Sequence, residues 1–562
     1  MDERRLLLAV ALSFLVLIGY RVLFPPAEVP VELPPAEVAS QAKPEPTPAV
    51  VEPAKGVREQ PVEAPEPEAT PAPLISEQSE RRLELRNKVF SIALTNRGAR
   101  LIGWELLAYR DHRGRPEEML RAAPGLKRPL DIETGDPKLD ALLDDALFQG
   151  PSGTEENRRK LVLEYSDGHV QATKTLELLG GYELEVTAQV LRDGKPVPVQ
   201  LVWGPGLGNP SAREQEVFGY VKPQAVLMTD GGLQRIPPKK MDRWSGNQPV
   251  QWAGVEAMYF TALWVPEGDR GTVRLRASSV QVPGTEDKEL LPEVLFELSE
   301  GDPRVRLYVG PKDYHTLKPL GHGLARVVPV GDWIGPVVIP LLGLLRWVHG
   351  HIGNYGWSII VLTLLINVAM SPLRHYSIAN GVKMAKLSPE MKVIQERYRK
   401  VPALDPRRQE MQAEIQALYA RHGMSMSTQM TVGCLPILLT MPFLIAFYRV
   451  LMVSIDLRGA DFLWIPDLSQ KDPLYLTPIL MGVSMLVMQR MTPTAMDPAQ
   501  QRIMLIMPVV LVAMFFAAPA GLNLYWLASN LCSIVQQGLT LSWIRRHGHE
   551  APRKRGERKA RK

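Results

Sequence analysis

The 562-residue chain has two cysteines, Cys434 and Cys532, both inside apolar runs, and no CxxC pair. That excludes a thiolate zinc site and thioredoxin-like exchange, and both thiols read as small packing residues. There is no Walker-type phosphate loop, no HExxH and no GxSxG, and "GPGLG" at 204–208 reads as a turn. Nucleotide hydrolysis, metalloprotease and serine-hydrolase chemistry therefore lack their usual residues. Histidines are scattered: His547 and His549 supply only two ligands, and His112, His169 and His315 form no catalytic set with carboxylates for a carbohydrate enzyme. No metal, no cofactor and no enzymatic activity is expected. The long apolar runs hold no facing pair of carboxylates, which a proton-coupled transporter needs.

What the chain does have is apolar length. Mean hydropathy is −0.07, an average over two unlike parts. Six runs approach the roughly 20 residues that span a bilayer: 6–24, 355–373, 431–453, 474–491, 503–518 and 521–543. The first follows Arg4-Arg5, lacks an A-x-A exit and is expected to be an uncleaved anchor. Residues 25–75 hold fourteen prolines and nine glutamates, a composition that stays extended and buries no core. Ten lysines and arginines lie in 374–430 and nine in 544–562, against two in 454–474. By the positive-inside rule both termini and the 374–430 segment are cytoplasmic.

Between 77 and 318 the pattern is that of an antiparallel β-sandwich. Phe90, Ile92 and Leu94 share one face, as do Tyr182, Leu184, Val186 and Ala188, and Gly/Pro/Asp clusters separate the runs. Residues 330–351, interrupted by Pro336, Pro340 and Arg346, predict an amphipathic helix in the interface, with Trp333 and Trp347 at headgroup level. Met384, Leu387, Met391, Ile394 and Tyr398 predict one helix of a cytoplasmic hairpin, and Met411, Ile415 and Leu418 the other. Asp405-Pro406 reads as N-cap and first helical position between them. The fold class is thus an α+β integral membrane protein: an anchor over 1–24, a linker over 25–76, the β domain, a five-helix core over 352–543 and a basic tail over 544–562.

Polar residues recur inside the apolar helices: Thr363 and Asn367 four apart, then Gln429, then Asn523, Tyr525, Asn530, Ser533, Gln536 and Gln537. Interhelical hydrogen bonding explains one such residue. Recurrence across several spans points to a hydrated recess open toward the base-rich side.

The blocks "GNYGWSIIVLTLLINVAMSPL", "GCLPILLTMPFLIAFYRVL", "DLSQKDPLYLTPILMG" and "GLNLYWLASNLCSIVQQ" resemble the YidC family of membrane protein insertases, and "YFTALWVP" and "LYVGPK" its Gram-negative branch. The resemblance runs from about residue 80 to 545. It implies an inner-membrane insertase and chaperone with a periplasmic, mutarotase-like domain. It also implies a polar groove open to cytoplasm and lipid but closed on the outer side, working alone or beside the Sec translocon. Its partners are nascent membrane proteins, membrane lipids and, through tail and hairpin, the ribosome; no DNA is expected. Groove positions carry over to Thr363, Tyr525 and Trp526, the last replacing a family tyrosine. With Asn367, Gln429, Asn530 and Ser533 they form the expected substrate groove. Where relatives usually carry a groove arginine this chain has Asn367. No substitute is expected, because Arg374 lies two turns on at the cytoplasmic mouth and Arg449 near the far end of its span. The alternative reading is a polytopic transporter or channel.

Overall fold

A computed structural model describes residues 73–547 except 122, 124, 152–157, 245, 269, 282–287, 300, 332, 399–400, 403–404, 423–441, 444, 493–497 and the side chains of 498–504. The expected anchor, most of the linker, Gln429, Cys434, most of the run 431–453 and most of the basic tail lie outside the described residues.

Alternation of large apolar with polar side chains builds the first half of the structure as sheets. In Val170–Gly180 every second residue is buried, and the strand pairs antiparallel with Glu183–Arg192, where Leu184, Val186, Ala188 and Val190 point inward. Among the described residues three antiparallel sheets form, of nine, five and four strands. The four-stranded sheet contains Phe90–Thr95 and Arg100–Arg110. Its inward residues meet the other sheets around Trp104, which stacks on Phe90 at 5.2 Å and meets Trp203 edge-on at 5.7 Å. Each such aromatic removes some 150–250 Å² from water, so these rings dominate the core.

Several buried positions of the β domain carry charge-bearing groups, and Lys174 is fully enclosed. Lys174 continues the buried face of Val170 and Ala172, and its Nζ donates to the carbonyls of Ala99 (2.8 Å) and Leu130 (2.5 Å). Desolvation pushes its pKa down to about 8.

The second half is helical: α1 (Gly335–Ile352), α2 (Tyr355–Ala369), α3 (Ser371–Arg397), α4 (Arg407–Arg421), α5 (445–453), α6 (Leu476–Met491), α7 (Pro498–Phe515) and α8 (Ala520–His547). Helix α1 begins with Pro336 in its first turn, where a missing N–H costs nothing, and it continues through Pro340 rather than breaking there. It buries Val338, Leu341, Leu342 and Leu345 against Ile359, Leu362 and Phe447, and leaves Trp333 and Trp347 exposed.

The run 355–373 is not one straight helix. Pro372 lacks the N–H that would continue the ladder, and α2 and α3 meet at a bend of 59°. Among the described residues no single helix is long and apolar enough to cross a membrane. The bent pair α2–α3 meets that measure jointly, and Leu476–Met491 and Leu505–Phe515 are shorter apolar helices.

Helices α3 and α4 pair through Leu387, Met391, Leu418 and Tyr419, and Arg397 binds Glu414. Asp405 accepts the Arg407 N–H at 2.9 Å, one residue earlier than a regular N-cap, since the helix starts after Pro406. Two of the close approaches that need glycine lie in the helical half. A Cβ on Gly356 would lie 2.1 Å from the Phe462 ring, and one on Gly482 2.3 Å from Val512.

Candidate functional site

The polar residues of α2, α3 and α8 converge at the bend. Thr363 is fully buried and donates through Oγ1 to the carbonyl of Ile359 at 2.6 Å, within its own helix. One turn on, Asn367 donates through Nδ2 to the carbonyl of Thr363 at 2.7 Å. Its Oδ1 accepts from Nη1 of Arg374 at 2.6 Å, and the same nitrogen donates to Ser533 Oγ at 2.6 Å.

This corrects the expectation for Arg374. In a straight helix it would sit two turns below Asn367, but the 59° bend carries α3 across the foot of α2. The guanidinium thereby reaches back to the amide. Asn367 thus bonds both its own helix and an arginine. Among the described residues no carboxylate pairs with Arg374, which is half-buried. A half-buried cation without a counter-ion is a poised anion site, because lowered dielectric strengthens its pull on any acid that enters.

The stripe on α8 divides between two faces. Asn530 donates to Ser484 Oγ on α6 at 2.9 Å, and Gln537 to Thr492 Oγ1 at 3.2 Å. On the other face Ser533 receives Arg374, and Gln536 donates to the carbonyl of Ser371 at 2.8 Å. Asn523 donates to the carbonyl of Phe515 at 3.2 Å. Much of the stripe therefore joins helices, as bonds of about 0.6 kcal/mol each. Tyr525 is buried and stacks on Phe447 with centroids 4.0 Å apart, while Trp526 is half-buried and meets Phe515 edge-on at 4.9 Å. Asn367, Ser371, His375, Cys532 and Gln536 line a cavity of about 750 Å³ between the α2–α3 bend and α8, with Leu364, Val535 and Leu539 among its apolar walls.

Sequence reasoning placed Thr363, Asn367, Tyr525, Trp526, Asn530 and Ser533 in one groove. Asn367, Ser533 and Arg374 do come together. Asn530 turns to α6, and Gln429 lies outside the described residues. Ser484 and Ser371 were missed, since a lone serine in an apolar run carries no signal of its partner. Among the described residues no group of three or more His, Cys, Asp or Glu is placed to hold a metal.

Comparisons with known proteins bear on the whole chain. Residues 82–343 match the YidC periplasmic domain family, and residues 347–547 the family described as 60Kd inner membrane protein. A membrane protein insertase YidC of Geobacter sulfurreducens is 37% identical over 405 residues, covering 70% of this chain and 72% of the relative. The chain belongs to the YidC family. The YidC of Syntrophus aciditrophicus is 30% identical over 563 residues, 95% of this chain and 98% of that one. Among solved structures, an active YidC insertase with its first transmembrane domain resolved matches with 18% identity and a TM-score of 0.34, covering 84% of this chain and 95% of that one. The transporter or channel alternative finds no support among these YidC relatives.

Proposed function

We propose that the chain moves hydrophobic segments of newly made proteins into the inner membrane, with the recess at the α2–α3 bend receiving their polar flanks. The observation that carries this reading is Arg374, an arginine with no acidic partner among the described residues, held on Asn367 and Ser533 between α2, α3 and α8. The outward faces support a lipid setting. Val483, Ile506 and Val509, none of which lines the recess, are each more than half exposed, and side chains of this kind in such number mark a membrane-facing surface.

No bond is made or broken in this process. A translocating flank carries amides and hydroxyls whose transfer into hydrocarbon costs several kcal/mol each. A recess that sets Asn367, Ser371, His375 and Gln536 among apolar walls, part-way through the bilayer, lowers that barrier, and the client's own apolar segment supplies the drive at about 25 cal/mol per Å² buried. A nucleotide is not needed. In the usual relatives an arginine stands at the position of Asn367. Here Arg374 supplies the cation from the next helix, so attraction of acidic flanks is retained rather than dropped.

The topology of this reading is six spans, with both termini and the α3–α4 hairpin cytoplasmic and the β domain periplasmic. Its partners are nascent membrane proteins, alone or with the Sec translocon, together with lipid and the ribosome through the basic tail. Removing 545–562 should lower ribosome co-sedimentation in a salt-dependent way, and unchanged binding would remove the tail from the interaction.

The test of the site is photo-crosslinking to ribosome-bound membrane chains. Probes at Asn367 and Trp526 should capture the nascent chain, while one at the lipid-exposed Leu480 should not. Equal capture at all three would reduce the recess to helix packing.

A further inference from the structure

The connection between α5 and α6 carries two bases in 454–474, Arg458 and Lys471. Both are spent on the β domain. Arg458 donates through Nε to Glu214 (2.6 Å) and through Nη1 to Glu117 (2.8 Å) and the carbonyl of Arg110 (3.1 Å). All three charged side chains are at most 9% exposed, and the guanidinium lies over the rings of Tyr259 and Phe260. Lys471 binds Glu216 at 2.6 Å. Arg346 of α1 adds a third tie, bridging Asp313 at the end of the β domain to Asp456 in the connection, both at 2.7 Å.

Glu214 and Glu216 belong to one short segment of the β domain, opened by a capping box between Ser211 and Glu214. The ion pairs set that segment down on the helices. The Phe218 N–H donates to the carbonyl of Ala517 at 2.9 Å, just before α8. The next residue, Gly219, has φ +85°, and a Cβ there would lie 2.7 Å from the Met452 side chain. The chain thus turns tightly against α5, and the Phe218 ring is left about half exposed. It forms one wall of an apolar crevice of about 350 Å³ whose other walls include Tyr448 of α5, Met514 and Phe515 of α7, and Leu522 and Trp526 of α8.

We propose that Phe218 is a client-contacting residue, and that the β domain thereby supplies the outer wall of the site an inserting apolar segment occupies. The inference rests on the insertase reading above. It is carried by Trp526, which lines the crevice opposite Phe218 together with Leu522 of the same helix. The crevice is too small for a folded unit and admits side chains only. Its lining is apolar, so the occupant is the apolar segment of the client and not its polar flank. Buried ion pairs impose position more than they add stability, since desolvation offsets most of the Coulomb gain. Arg458 is accordingly a positioning residue: it fixes where Phe218 stands without touching the client.

The experiment uses the full chain in membranes, with a photoreactive phenylalanine analogue at Phe218, at Trp526 or at Leu142, an exposed apolar residue of the β domain outside the crevice. The probe ligand is a ribosome-stalled chain with a single apolar segment. Adducts are expected at Phe218 and Trp526 and not at Leu142. Combining the Phe218 probe with Arg458→Ala should reduce its adduct several-fold while the Trp526 adduct persists. If Arg458→Ala does not accumulate, Lys471→Ala loosens the same segment and should give a smaller loss in the same direction. Capture at Trp526 without capture at Phe218, or capture of lipid alone at Phe218, overturns the inference and leaves the insertase reading standing. Absence of capture at both Trp526 and Asn367 overturns the reading of the site and this inference with it.

Discussion

The β domain and the helical half bury opposite things. In the sheets Trp104, Trp203 and Trp264 are inside, and the chain's polar groups are largely outside or in seams. In the helices Val483, Ile506 and Val509 are outside, while Thr363, Asn367 and Asn530 are inside. One rule produces both, because each part hides from its solvent what that solvent cannot satisfy. The exceptions are then the informative residues. Lys174 is a charge-bearing group in the dry core of the sheets, held by two carbonyls. Arg374 is a cation inside the bundle with no acid paired to it among the described residues.

The comparison can be broken from the sheet side first. Trp104→Ala removes the ring that joins Phe90 to Trp203, and the loss should be about 3–5 kcal/mol. Thermal unfolding followed by near-UV dichroism should show the β-domain transition falling sharply; an unchanged transition would mean that the core collapses around the gap.

Lys174 sharpens it next. Its pKa is about 8 because burial penalises the charged form, against 10.5 for the free side chain. Between those pH values the unfolded chain holds a proton that the folded chain does not, so this group's contribution to stability rises with pH across the window, and below pH 8 its penalty is fully present. Relative to Lys174→Met, the wild type should gain on the order of 2–3 kcal/mol from pH 8 to 10.5, read as a shift in the difference of Tm. A flat difference would place the amine in contact with water.

Inside the bundle, Arg374→Gln should reduce insertion of clients with acidic flanks by roughly tenfold, the worth of about 1.4 kcal/mol for a charged hydrogen-bonded group. Clients with neutral flanks should lose much less. The double change Asn367→Arg with Arg374→Asn moves the cation back onto α2 and should recover most of the activity. Asn367→Arg alone sets two guanidiniums against each other and should not improve on the wild type. The smallest effect belongs to the exposed apolar band: Val509→Ala should change stability by no more than about 0.5 kcal/mol, although the same truncation in the sheet core would cost several times more.

Legibility in the sequence followed the same division. The strand faces of Phe90, Ile92 and Leu94 and of Leu184 and Val186 were readable because a period of two needs no partner to interpret. Lys174 stands on an inward position of Val170–Gly180, and a lysine there gives no sign in the sequence of the two carbonyls that hold it. Hydropathy located the apolar runs, but not the bend that redirects α3. Pro372 marks a break in the ladder without giving its angle, and the angle is what brings Arg374 onto Asn367. Partners distant in the chain were out of reach for the same reason. Asn530 finds Ser484 46 residues away, and Arg458 finds Glu214 across 244 residues. Separations of that size are set by the packing of whole elements and leave no local pattern.

The most direct test of the account is insertion into liposomes holding this chain as their only protein, with a client of one apolar segment and an acidic flank. Without nucleotide, the wild type should insert the client well above protein-free liposomes, and Arg374→Gln should lose most of that gain. Insertion at the protein-free level, or an Arg374→Gln protein as active as the wild type, would contradict it.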